Sequence, residues 1–247
     1  MGLKYHKHHM TLVPFSLIEI DRETRHALAV YLAIACKANY AVHDKMTTKL
    51  SLLDIIYTIG LTPKAGKGRV NDQVAVAVKT LKDLGYFEDA PDFVERGRLD
   101  MKGKYRYKVV KPKGAGTYAT ITPADIYSVA QITRNGDVSF SYDALLRVLF
   151  AIKWQIEKDE LGAALVTREK IKELTGVSIR AVTSITNELD DRLIIKKELY
   201  KTSKDGISKD GMWNNIAFYT NCYDNADAAN ARIEKAISNY KERMGRL

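Results

Sequence analysis

One order of signals occurs twice along the chain, and this repeat constrains the fold more than any single motif. The first copy opens with "TLVPFSLIEID" (11–21) and runs into one long apolar-periodic helix, "RETRHALAVYLAIACKAN". A shorter helix follows, "KLSLLDIIYTIG", which stops at Gly60. After a loop come a further helix, "VNDQVAVAVKTLKDLGYF", and "YRYKVV", whose alternation marks a strand. The second copy opens with "TITPADIYSVA" (120–130) and has its long helix in "SYDALLRVLFAIKWQIEKD", with Ser141 as N-cap. Its short helix, "TREKIKELTG", is capped by Thr167 and stopped by Gly176. "SIRAVTSITNELDDRLIIKKELY" then passes from helix into strand, and "WNNIAFYTN" supplies a second strand. Pro14 and Pro123, 109 residues apart, and Gly85 and Arg192, 107 apart, align the copies.

The repeat sets the expected boundaries. Residues 1–10 form a tail, 11–113 a first domain, 114–119 a linker, 120–223 a second domain and 224–247 a C-terminal amphipathic helix. Pro and Gly in "KPKGAGT" (111–117) break any helix at the junction. A chain of 247 residues with 46% apolar and 28% charged side chains has the composition of globular domains, which excludes a disordered chain. Its longest apolar stretch, "ALAVYLAIA" (27–35), is about half a membrane span, and "MGLKYHKHHM" has no apolar core before a cleavage site. Cys36 and Cys222 lie far apart without metal-ligand spacing. The expectation is a cytoplasmic protein with reduced thiols, no membrane contact, no metal and no cofactor.

The net charge of +9 is concentrated. Residues 1–117 hold 20 Lys/Arg against 12 Asp/Glu, and within them "RGRLDMKGKYRYKVVKPK" (96–113) holds eight cations and one acid. A solvated face mixes signs, so this stretch reads as a focused patch for an anionic partner. Its cations are Arg96, Arg98, Lys102, Lys104, Arg106, Lys108, Lys111 and Lys113. Alternation places Arg106 and Lys108 on one side and turns Tyr105 and Tyr107 toward the body of the domain. Lys64, Lys67 and Arg69 in the loop "TPKAGKGR" add to the patch, and Lys196, Lys197 and Lys201 form a more dilute set in the second copy.

On a wheel of residues 178–189, at about 100° per residue, Val182, Ile185 and Leu189 share one side. Opposite them stand Arg180, Thr183, Ser184 and Asn187, side chains suited to bonding base edges and phosphates. The equivalent helix in the first copy turns Val74, Val78, Leu81 and Leu84 inward and shows Asp72, Val76, Lys79 and Asp83 outward. Carboxylates there repel phosphate, so this helix is the poorer reader, and an outward Val76 marks a protein contact.

Long helix, short helix, tight corner, second helix and two-stranded hairpin is an order that resembles the winged helix-turn-helix. The likeness rests on "IKELTGVSIRAVTSITNEL" and, with the inserted loop as a departure, on "LLDIIYTIGL" and "VAVAVKTLKDLGYF". It implies a mainly α, α+β fold of two tandem winged-helix domains with small β-hairpin wings. Two such modules in about 250 residues, opened by "LVPFSLIEIDRETRHALAVYLAIACKAN", are similar to replication initiators of plasmids and phages, including DnaD-like modules. That resemblance implies binding to double-stranded DNA at an origin, recruitment of host replication proteins, and a place at the nucleoid of a bacterial or phage-infected cell. Two other classes stay open: a transcriptional regulator or repressor of a mobile element, and an adaptor whose winged helices dock proteins.

Catalytic motifs fail on spacing. "GLTPKAGKG" has the wrong glycine spacing for a phosphate loop and lacks Ser or Thr after Lys67. "HKHHM" (6–10) stands apart from His26 and His43, and "YRYK" (105–108) has no carboxylate cluster beside it. No nucleophile, base and orienting group can be assembled, so the chain is expected not to be an enzyme. In "DNADAANARIEKAISNYKERMGRL", Ile233, Ile237, Tyr240, Met244 and Leu247 are spaced as a seam. Packing on the second domain and pairing with a second copy in a homodimer both satisfy it.

Overall fold

The computed structural model describes residues 11–38, 46–93, 99–110, 117–134, 138–200, 216–222 and 225–245. It is an α+β structure with small antiparallel sheets. The chain divides into two compact units, Met1–Arg147 and Val148–Leu247.

In the first unit, β1 (Thr11–Pro14) leads into α1 (Leu17–Glu23) and α2 (Ala27–Ala35). Then come β2 (Thr47–Leu50), α3 (Leu52–Thr58), α4 (Val70–Asp83), β3 (Phe87–Glu88) and β4 (Tyr105–Val109). β5 (Tyr118–Ile121) and α5 (Pro123–Arg134) follow, and α6 (Tyr142–Glu157) crosses the division between units. The second unit continues with β6 (Ala163–Val166), α7 (Arg168–Thr175), α8 (Ile179–Asp191), β7 (Ile195–Tyr200), β8 (Ile216–Asn221) and α9 (Ala226–Gly245).

The repeat persists as topology. Helix, strand, two helices and two strands recur from α2 to β4 and from α6 to β8. Both sheets have three strands, ordered β2-β4-β3 and β6-β8-β7, with the last strand of each copy in the centre. The short strands β2 and β6 give no sequence signal of their own. "TTKL" and "AALV" become strands because β4 and β8 have hydrogen-bonding edges to fill, through registers such as Thr48↔Tyr107 and Leu165↔Phe218. The openers pair with each other: β1 lies antiparallel to β5, with Thr11 opposite Ile121 and Pro14 opposite Tyr118.

Three expectations are corrected. The long first helix is broken between α1 and α2, where His26 takes a left-handed conformation at φ 66°. The carboxylate of Asp21 accepts the N–H of Leu28 at 3.0 Å and satisfies the new helix start. Leu84 does not join the inward stripe; as the C-cap residue of α4 it is 50% exposed, because the chain turns away at Gly85. The copies also align one residue later than Gly85 and Arg192. Leu84 and Arg192 are the equivalent C-caps, and Gly85 (φ 78°) matches Leu193 (φ 55°) as the left-handed residue before a strand.

The core of the first unit is built around α2, all nine residues of which are buried. A helix covered on every side needs no polar face, which explains the unbroken apolar run. A polar cluster seals its N-terminal end. His26 Nδ1 lies 2.7 Å from Asp143 Oδ1, and Nε2 lies 3.2 Å from Gln73 Oε1. Gln73 donates its amide to the Gly68 carbonyl at 2.7 Å, which leaves its oxygen facing the ring as acceptor. Arg147 donates to the carboxylate of Asp21 at 3.0 Å and to its carbonyl at 3.2 Å. Burial and the nearby Asp143 charge nevertheless push the Asp21 carboxyl up to about 7, outweighing Leu28, Arg147 and His26.

In the second unit α9 lies on the sheet. Ile233 and Ala236 pack with Ala163 and Phe218, and Ile237 and Tyr240 extend this cluster. Arg232 ties the helix to β8 by donating to Thr220 Oγ1 at 3.0 Å and to the Asn221 carbonyl at 2.6 Å. Of the expected seam, Met244 is exposed and Leu247 lies outside the described residues.

Candidate nucleic-acid interface

α8 forms where the wheel requires it. Ser178, extended at φ −62° and ψ 149°, caps it by accepting the Ala181 N–H at 3.3 Å, and Gly176 ends α7 in the left-handed region at φ 70°. Val182, Ile185 and Leu189 are fully buried, and Thr186 is buried beside them. Arg180, Ser184 and Asn187 are exposed and Thr183 is half-buried, so the four expected readers share the outward side. The serine and threonine hydroxyls bond back to their own helix, Thr183 to the Ile179 carbonyl at 3.0 Å and Ser184 to the Arg180 carbonyl at 3.3 Å. These bonds hold the hydroxyls close to the backbone and leave Arg180 as the longest side chain of the set.

Two further cations border this face. Arg168, at the start of α7, points its guanidinium at Thr183 Oγ1 from 3.4 Å. No outward periodicity marked it, because it belongs to the neighbouring helix. Lys197, expected at the DNA backbone, lies on β7 and donates to Asn187 Oδ1 at 2.6 Å and Thr186 Oγ1 at 3.1 Å. Its burial pulls its ammonium pKa down, and Arg168 adds to this, against the attraction of Asp190 and Asp191. Lys197 therefore braces Asn187 rather than extending toward a phosphate. Lys196 lies 3.7 Å from Asp190, and Lys201 is outside the described residues.

In the first unit the inserted loop folds onto the first turn of α4. Lys64 N–H donates to Asn71 Oδ1 at 2.9 Å, and Gly68 N–H donates to the Asp72 carboxylate at 2.9 Å. Lys64, Lys67 and Arg69 all remain exposed at the positive end of a helix. Asp72, read as a repelling outward acid, is occupied by this capping contact. Val76 is 42% exposed.

The basic stretch is a strand as much as a ribbon. Tyr107 is buried, and Tyr105 sets its ring edge on Phe93 with centroids 5.4 Å apart. Arg106 and Lys108 point outward from the central strand, but acids of the preceding turn and strand meet them: Asp89 lies 3.8 Å from Arg106, and Lys108 is bonded to Glu88. Lys102 and Lys104 are exposed before the strand, in a turn held by Asp100, which accepts the Gly103 N–H at 2.9 Å and the Tyr105 hydroxyl at 2.6 Å. Arg96, Arg98, Lys111 and Lys113 lie outside the described residues. Among the described residues no group of three or more His, Cys, Asp or Glu is placed to hold a metal, and no helix is long and apolar enough to cross a membrane. No protein-family model and no curated protein matches the chain.

Proposed function

We propose that the chain is a sequence-specific double-stranded DNA-binding protein made of two winged-helix modules, acting as a replication initiator that binds origin repeats. The observation that carries this reading is the outward face of α8, where Arg180, Thr183, Ser184 and Asn187 project opposite a fully buried stripe. Arg180 sits in the first turn of the helix, the part that enters a major groove in helix-turn-helix docking. Its guanidinium matches the two acceptors of guanine, and Asn187, braced by Lys197, is held in one amide orientation.

The first module grips. Lys64, Lys67, Arg69, Lys102 and Lys104 present exposed cations without a base-reading helix, which suits contact with phosphates. Val76, exposed on α4, suits a host replication protein. If about five cations meet phosphate, log K falls with log salt at a slope of roughly −4 to −5. Two modules in one chain fit successive elements of a repeated site. Selection of bound fragments from the source genome is the test. Repeats at an origin support initiation, a palindrome over a promoter supports a repressor instead, and the absence of any preferred site removes both.

A further inference from the structure

A cleft of about 410 Å³ in the first unit has none of the α8 residues Arg180, Thr183, Ser184 and Asn187 in its lining. Tyr57 of α3 and Tyr127 of α5 line it from two helices, and they are 55% and 53% exposed. Lys37, Lys49 and Lys104 line it as well, all three exposed, and they reach it from separate parts of the chain. The one acid in the lining, Asp54, is engaged by Ser51. Its carboxylate accepts the Ser51 N–H at 2.9 Å and the Ser51 hydroxyl at 2.8 Å, and these bonds, with Lys104 and Lys37 nearby, hold its pKa below the usual range. Each of these five outward residues is unremarkable alone. Together they are two aromatic faces and three cations around one opening.

We infer that this cleft binds a single unstacked nucleotide, its base against Tyr57 and Tyr127 and its phosphate held by Lys37, Lys49 and Lys104. A base inside a duplex has both faces covered by its neighbours, so aromatic surfaces of this kind have use only for a base outside the stack. Cations alone serve any polyanion, and tyrosines alone serve any apolar group; the combination selects a flat ring carrying a phosphate. The volume falls at the small end of ligand sites and accommodates one nucleotide rather than a folded strand. That nucleotide is either free or one unit of a single strand whose remainder runs over the surface. The inference does not depend on α8 reading a duplex.

The test uses the full chain and two probes, a labelled oligothymidylate and thymidine monophosphate. Binding of the oligonucleotide should weaken by about ten- to a hundredfold in Tyr57→Ala and in Tyr127→Ala. The Phe variants, which keep the ring, should bind nearly as the parent does. Lys49→Glu and Lys104→Glu should weaken binding with no loss of folding, since both are exposed. The salt slope for three lysines is roughly −2. If the monophosphate competes as tightly per site as the oligonucleotide, the ligand is a free nucleotide; if it competes only at far higher concentration, the ligand is a single strand. Binding of neither probe, or oligonucleotide binding unchanged in the Tyr57→Ala/Tyr127→Ala double variant, overturns the inference. Duplex binding should be the same in the Tyr57, Tyr127 and Lys49 variants, whereas Arg180→Ala should weaken duplex binding and leave the single strand alone, so each reading fails separately.

Discussion

Gly85 and Leu193 occupy the same turn in the two copies, and exchange at these sites has a sign opposite to the ordinary ranking. A Cβ added at Gly85 would meet no atom within 4 Å, so Gly85→Ala adds no clash and the cost lies in the backbone alone. Holding an L-residue at φ 78° costs about 1–2 kcal/mol, and the stiffer unfolded chain returns about 0.4–1 kcal/mol. Gly85→Ala should therefore destabilise by about 1 kcal/mol. Leu193 already carries the strain at φ 55° and is 58% exposed. Truncation to Ala removes its remaining burial, about 1 kcal/mol, and keeps the strain. Truncation to Gly removes the same burial but relieves the strain, and should end near the parent. At both positions Gly should exceed Ala by about 1 kcal/mol, which is a few degrees in melting temperature for a unit of this size. Urea unfolding, with the two units fitted as separate transitions where they separate, measures this. If Ala equals or exceeds Gly at either position, the two turns are not equivalent and the one-residue realignment of the copies is wrong.

The remaining predictions concern charge and packing. His26→Ala leaves Asp143 buried without its partner and should destabilise the first unit by about 3–5 kcal/mol in denaturant titration. The raised Asp21 pKa means that folding takes up a proton: its stabilisation is complete below the unfolded value near 4 and is lost as pH rises through about 7. Stability measured across that window should slope downward by up to about 1.4 kcal/mol per pH unit, and Asp21→Asn should flatten the slope. A chain ending at Asn225 uncovers Ala163 and Phe218 and should lose several kcal/mol in the second unit; a change of molecular mass in solution without loss of stability would instead make α9 a dimer seam. Arg180→Ala should cost about 1–3 kcal/mol of duplex affinity and relax preference at one base position, read by competition against single-base variants of the selected site.

The parts of the molecule legible in the chain are those written within one turn of helix or one strand. Ser178, Thr167 and Gly176 announce the ends of α7 and α8, and the apolar spacing of Val182, Ile185 and Leu189 determines which side of α8 faces in. Arg180, Thr183, Ser184 and Asn187 were therefore legible as a set. Arg168 was not, because its nearness to Thr183 depends on how α7 packs against α8. Tyr57 and Tyr127 are 70 positions apart and carry no joint signal until α3 and α5 line one cleft.

Sequence by itself determined the repeat, the helix faces and the turn residues, since each follows from φ/ψ preference and the 3.6-residue period over a few neighbours. Tertiary structure decided the rest: that "TTKL" and "AALV" become strands, that Lys197 braces Asn187, that the acids of β3 and its turn meet Arg106 and Lys108, and that His26 turns left-handed against Asp143. Each of these depends on a partner distant in the chain, whose position local preference does not encode.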